Sequence, residues 1–287
     1  MRNDPAGRTV GSGKLSTEYR RFVAIGDSQT EGVGDRPHAD GSDRGWADRF
    51  ADALEASSPG LLYANLAIRG RRIGQIHDEQ LEPALALKPD LASVMAGAND
   101  LIRPGLDLDL TLELMDYMQA SFSAAGARVL TNTYPVAPGS GPFGHRVADR
   151  FRAYNEGLRE IARRHETLLV DLETIPSTTD PRLWSHDRLH LNPAGHDRLA
   201  RAVFALVEGS REGRTRLALD SFPPGELPDW VQELPASPPM PGPAEFRQNM
   251  GWVFRYLLPW VGRRVTGRSS GDGRSAKRPG LGPVSPG

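Results

Sequence analysis

The chain of 287 residues contains no cysteine. Disulfides, zinc sites built on thiolates and cysteine nucleophiles are thereby excluded. No apolar run reaches the ~20 residues that a membrane-spanning helix needs. The opening stretch, Met1 to Thr17, is polar and glycine-containing and lacks the apolar core of a secretory signal. These absences point to a cytoplasmic protein. Net charge is also small, at −1.

What is present is ordinary globular composition: 38% hydrophobic and 25% charged residues, enough for one domain with a full core. Charge is unevenly placed. From Gly251 onward there are seven basic residues (Arg255, Arg263, Arg264, Arg268, Arg274, Lys277, Arg278) and one acid (Asp272), so this end is +6 and the remainder −7. The expected organisation is a disordered leader over 1–19, an α/β domain over 20–210, a Pro-rich linker over 211–245, an apolar and aromatic segment over 246–262, and a basic disordered tail over 263–287. Residues 222–243 are dense in proline and should run extended without contributing core. The composition of the tail argues against a packed structure there.

Between Arg20 and Glu208, short apolar runs alternate with longer helical patterns. The runs are Phe22–Ile25, Leu61–Asn65, Leu91–Ala96, Arg128–Thr133 and Thr167–Asp171. The helical patterns are roughly Gly45–Ala56, Ile73–Leu87, Leu108–Ala124, Val147–His165 and Pro193–Val207. Alternation of this kind implies βαβ units with right-handed crossovers and a parallel sheet covered on both faces. Functional residues of such sheets gather at the C-terminal strand ends. Polar candidates fall there: Ser28, Arg69-Gly70, Asn99-Asp100 and Tyr134, with Asp187 and His190 in the loop before the last helix.

Serine is a weak nucleophile unless a base takes its proton and a carboxylate orients that base. Ser28 follows the first run and precedes Gly32 and Gly34; taken alone it is equally well a helix N-cap. Gly70 alone reads as a turn residue, and Asn99 alone as an Asx turn or cap. Together, the Ser28 and Gly70 N–H groups and the Asn99 amide would make three donors around a developing oxyanion. Among seven histidines, His190 is the candidate base, because Asn192 and Pro193 mark a helix start just beyond it. His186 adjoins Asp187 directly but should point elsewhere in an extended loop. His77, His165 and His196 lie in helical patterns, and His38 and His145 in glycine-rich loops.

Gly26-Asp27-Ser28, Gly70, Gly97-x-Asn99-Asp100 and Asp187-x-x-His190, in this order, resemble the four sequence blocks of the SGNH hydrolase (GDSL-like esterase and lipase) family. The resemblance spans about residues 20–208. It implies a flavodoxin-like three-layer α/β/α sandwich with a five-stranded parallel sheet. It also implies Ser28 as nucleophile, His190 as general base and acid, Asp187 as its orienting carboxylate, and Ser28, Gly70 and Asn99 as oxyanion hole, with no metal or organic cofactor. Gln29 departs from the leucine of the name-giving block. The basic run Arg69, Arg71 and Arg72 raises the prospect of an anionic substrate group, with Arg69 as candidate substrate-binding residue. The Gly-x-Ser-x-Gly elbow of α/β-hydrolases is missing, since Thr30 stands two residues after Ser28.

The reading is therefore a serine esterase acting on a small-molecule ester through an acyl-enzyme. The alternatives are a carbohydrate O-deacetylase of the same fold and a non-enzymatic scaffold. No nucleic-acid partner is expected, because the basic tail lacks interleaved aromatics. Residues 246–264 carry an apolar and tryptophan-bearing stripe followed by arginines, a candidate for packing on the domain or for peripheral contact with an anionic membrane.

Overall fold

The computed structural model describes residues 19–136, 141–223, 225–235 and 270–284. Seven strands form one sheet: β1 (Arg21–Gly26), β2 (Leu62–Asn65), β3 (Leu91–Met95), β4 (Arg128–Asn132), β5 (Leu168–Val170), β6 (Arg216–Leu217) and β7 (Arg278–Pro283). Their spatial order is β6-β5-β4-β3-β1-β2-β7. All pairs are parallel except β2 with β7. The helices are α1 (Ser28–Glu31), α2 (Gly45–Ser57), α3 (Ile73–Ile76), α4 (Glu82–Ala86), α5 (Ala98–Leu101), α6 (Leu108–Ala124), α7 (Gly141–His165) and α8 (Pro193–Ser210). A π-helical turn, His77–Leu81, joins α3 to α4, so the single helix expected over Ile73–Leu87 is present as three continuous pieces.

Alternate residues of each strand enter opposite layers, as a pleated strand requires. Phe22, Ala24, Tyr63, Leu91, Leu130 and Leu168 face α2 and α8. Val23, Ile25, Ala64, Ala92, Val94 and Val129 face α3, α4, α6 and α7. Both faces are covered, which explains why the strands read as unbroken apolar runs. After β1 the chain goes to β2 on one side and then to β3 on the other. This reversal opens a crevice at the C-terminal ends of β1 and β3, where ligands bind in sheets of this kind. Ser28 and Asn99 follow these two strands.

Three expectations need correction. The sheet has seven strands, not five, because β6 and β7 add an edge on each side. The core does not stop at 210. In the stretch expected to be a linker without core, Trp230 and Val231 are buried, and Trp230 packs edge-on against Phe222 with ring centroids 5.7 Å apart. Proline density excludes regular ladders, not the burial of a single tryptophan between prolines. In the tail, 270–284 is ordered. An edge strand needs only backbone partners, and Pro279 and Pro283 are tolerated on an edge. Lys277 Nζ also donates to the carbonyls of Asp43 and Arg44 (2.7 Å each) and to Asp48 (2.8 Å). The leader expected over 1–19, apart from buried Tyr19, and the apolar segment 246–262 lie outside the described residues.

No helix among the described residues is long and apolar enough to cross a membrane.

Candidate active site

The turn that carries Ser28 is fixed from below. Gln80, buried in the π-helical turn, accepts from the Gly26 N–H (2.9 Å) and donates to the Gly26 carbonyl (3.0 Å). Asp27 then caps α1 by accepting from the Gln29 N–H at 3.1 Å. Ser28 is therefore the first residue of a short helix, nearly buried, at the end of the central strand.

The loop carrying His190 is equally determined. Asn192 caps α8 through the N–H groups of Ala194 and Gly195, with Pro193 at the first helical position, as the sequence pattern predicts. Upstream, the Asp187 carboxylate accepts from the N–H groups of Leu189 (3.0 Å) and His190 (3.1 Å) and from the Ser185 hydroxyl (2.8 Å). The chain folds tightly there, with Arg188 at a φ of 58°. On the opposing side, Gly34 has a φ of +101°, and a Cβ on it would lie 2.2 Å from the Leu191 carbonyl. Only glycine allows the loop after α1 to approach the His190 segment this closely.

The two loops meet. His190 Nε2 lies 2.9 Å from the Ser28 hydroxyl, and His190 Nδ1 lies 2.6 Å from Asp187. Burial alone would raise the Asp187 carboxyl. The hydrogen bond and charge of His190, with the N–H groups of Leu189 and His190, outweigh it and hold the carboxyl well below the usual carboxylate range. An ionised Asp187 fixes a proton on Nδ1 and leaves Nε2 as acceptor towards serine. His186, the rival in sequence, is exposed.

Gly70 and Asn99 come to the same edge. The Ile68 N–H donates to the Gly26 carbonyl at 3.3 Å, which lays the 66–71 segment along the end of β1. Asn99 Nδ2 donates to Asp27 (3.1 Å) and to the Arg71 carbonyl (3.2 Å), tying the first three sequence blocks together. Gly97, with a φ of +104°, makes the bend before α5; a Cβ there would meet the Tyr154 hydroxyl at 2.6 Å. Asp27 is buried beneath this junction. Burial pushes its pKa up to about 6, against the pull of the Gln29 N–H, the charge of His190 and the Asn99 amide.

Arg69 departs from its expected role. Its guanidinium lies on Glu31 and on Asp43 (2.7 Å to Asp43), so two carboxylates already neutralise it. Tyr134 stands just beyond the end of β4, as expected, and its phenol donates to the Ala96 carbonyl at 2.9 Å. Two residues were not picked out by the sequence reading. Gln29 Nε2 donates to the Leu189 carbonyl (2.9 Å) and its Oε1 accepts from the Leu191 N–H (3.4 Å), holding the backbone on either side of His190. Arg103 Nη2 approaches the Gly70 carbonyl at 3.5 Å. Gln29 was visible as a departure from the family's leucine; Arg103 carried no signal. Behind the His190 loop lies an apolar cavity of about 70 Å³, lined by Gln29, Tyr134, Leu172, Trp184, Leu191 and Trp230 among others. Among the described residues no group of His, Asp or Glu is arranged to hold a metal ion.

Residues 24–198, more than half of the chain, match the GDSL-like Lipase/Acylhydrolase family. The chain belongs to this family. It is a carboxylic ester hydrolase of the serine-esterase type, which removes the non-enzymatic scaffold from consideration. It is similar to an acetylxylan esterase from Geobacillus stearothermophilus, with 29% identity over 67% of this chain and 93% of that protein. Solved structures share the fold. A catalytic mutant of Axe2, an acetylxylan esterase from the same organism, aligns with a TM-score of 0.56 at 22% identity, over 66% of this chain and 94% of its own. The psychrotrophic esterase EstA from Pseudoalteromonas sp. aligns at 0.53 and 16% identity, over 67% and 99%.

Proposed function

We propose that Ser28 is the nucleophile of this hydrolase and that His190 and Asp187 activate it. The observation that carries the reading is the unbroken relay of 2.9 Å and 2.6 Å from hydroxyl to imidazole to carboxylate, assembled from loops 162 residues apart. His190 Nε2 takes the Ser28 proton as the oxygen attacks the ester carbonyl. The tetrahedral oxyanion is held by the N–H groups of Ser28 and Gly70 and by the Asn99 amide. The imidazolium returns its proton to the leaving alcohol, and water repeats the sequence on the acyl-enzyme. Each oxyanion donor is worth ~2.7–4 kcal/mol of barrier. Asn99 enters this role from a bond to Asp27, so Asp27 acts as its support.

The test is direct. A fluorophosphonate probe labels the wild-type protein at Ser28, and Ser28→Ala neither labels nor hydrolyses p-nitrophenyl acetate while its circular dichroism is unchanged. Full turnover in Ser28→Ala would remove the assignment.

A second reading concerns the substrate. The similarity to an acetylxylan esterase over nearly all of that protein's length favours an O-acetylated carbohydrate, whereas the apolar cavity behind His190 favours a longer acyl chain. A panel of p-nitrophenyl esters from acetyl to palmitoyl, run beside acetylated xylo-oligosaccharides, separates them. Peripheral membrane contact through 246–264 rests on residues outside those described; sedimentation with anionic liposomes at low salt tests it.

A further inference from the structure

The rim of the site next to Gly70 and Asn99 carries more positive charge than it neutralises. Arg103 lies four residues beyond Asn99. Its guanidinium is half-buried, its Nε is buried with no hydrogen-bond partner, and among the described residues its one side-chain hydrogen bond is the long one to the Gly70 carbonyl. Arg72, two residues beyond Gly70, is exposed and uses its backbone N–H on Gln75. Among the described residues neither guanidinium forms an ion pair, whereas adjacent Arg71 pairs with Glu79 at 2.8 Å and Arg69 with Glu31 and Asp43. The two cations repel. Burial, and then the charge of Arg72, lower the pKa of Arg103.

A third guanidinium reaches the same turn: Arg150 donates to the carbonyls of Leu101 (3.1 Å) and Arg103 (2.7 Å). One carboxylate, Asp100, faces both Arg72 and Arg103 while accepting from the Ile73 N–H at 2.9 Å. Among the described residues, these three cations with Asp100 leave an excess of positive charge. A partly desolvated guanidinium with an unpartnered Nε and no ion pair is costly, and a bound carboxylate or phosphate relieves that cost by charge-assisted hydrogen bonds. The position matters: Arg103 lies against Gly70, one of the groups assigned to the oxyanion hole, and four residues beyond Asn99, another.

We propose that Arg72 and Arg103 form an anion subsite that binds a carboxylate or phosphate group of the ester substrate. The inference deepens the Ser28 reading and rests on it for the word substrate, but the binding itself does not. Succinate and inorganic phosphate are titrated separately into the full-length protein by calorimetry at low salt. Saturable binding of at least one is expected, and the tighter of the two identifies the head group. Arg103→Met and Arg72→Met each weaken binding about tenfold, and Arg103→Lys retains part of it. The same anion slows fluorophosphonate labelling of Ser28 in the wild type and not in the double variant. If Arg103→Met does not fold, exposed Arg72→Met carries the test. Lack of saturable binding by either anion, or binding unchanged in the variants, overturns the subsite. Binding without any labelling of Ser28 would leave the subsite standing and refute the nucleophile instead.

Discussion

Replacing His196 by glutamine separates one buried ionisation from all others. His196 sits on α8 just beyond the His190 loop, fully buried. Its Nδ1 accepts from the Trp46 N–H at 3.1 Å and its Nε2 faces the Val33 carbonyl at 3.2 Å. Burial lowers its pKa from 6.5 to about 4, against the pull of the Val33 carbonyl and Asp35. The unfolded chain therefore binds a proton in a range where the folded protein refuses it, and stability falls as pH drops below 6.5 towards 4. At 1.36 kcal/mol per unit, the loss is about 2 kcal/mol by pH 5 and about 3 kcal/mol by pH 4. The wild-type profile hides this, because Asp27 runs the other way. Its raised pKa, about 6, makes it cost stability when ionised and relieves that cost as pH falls. The comparison with His196→Gln isolates the histidine, since the glutamine amide can both accept from Trp46 and donate to Val33. Urea unfolding of both proteins at pH 7.5 and pH 5 is the assay. The difference between them should shift by about 2 kcal/mol in favour of the variant at the lower pH. A difference that stays constant with pH would show that His196 is not held neutral by burial.

Asp187→Asn keeps the size of the carboxylate but loses the charge that fixes the imidazole, and kcat should fall about 10⁴-fold on p-nitrophenyl acetate; a rate within tenfold of wild type would contradict the orienting role. Gln29→Leu restores the residue expected at this point of the family block but cuts both bonds to the His190 loop. It should lower kcat about tenfold with KM little changed, and an unaltered kcat in steady-state kinetics would show that the loop holds itself. Lys277→Met removes a buried cation from Asp48 and should cost about 3 kcal/mol in denaturant unfolding. Part of the loss is limited by Tyr63 and His38, which bond the same carboxylate. A cost below about 0.5 kcal/mol would make β7 incidental to stability.

The catalytic half of the protein was legible because its signals are local. The Asn192 cap, the Pro193 start and the apolar strand runs are each set by a few neighbouring residues, and they place Ser28 and His190 at strand and helix ends without reference to the rest of the chain; the cap of the first helix is Asp27 rather than Ser28. What stayed hidden depends on distant partners. Lys277 and the β7 strand read as solvated tail until Asp48, Asp43 and β2 are brought to them from more than 200 residues away. Trp230 reads as a loop residue until Phe222 and α8 supply its surroundings.

Sequence alone determined the candidate groups for the reaction and the scaffold that carries them, since caps, turns and strand periodicity are encoded within a few residues. Tertiary structure alone decided which charges are spent and which are spare. Arg69 looked available and is neutralised by Glu31 and Asp43, while Arg103 drew no notice and stands half-buried beside Gly70. Charge is written in the sequence, but its energy depends on distance and burial, and those exist only after the chain has folded.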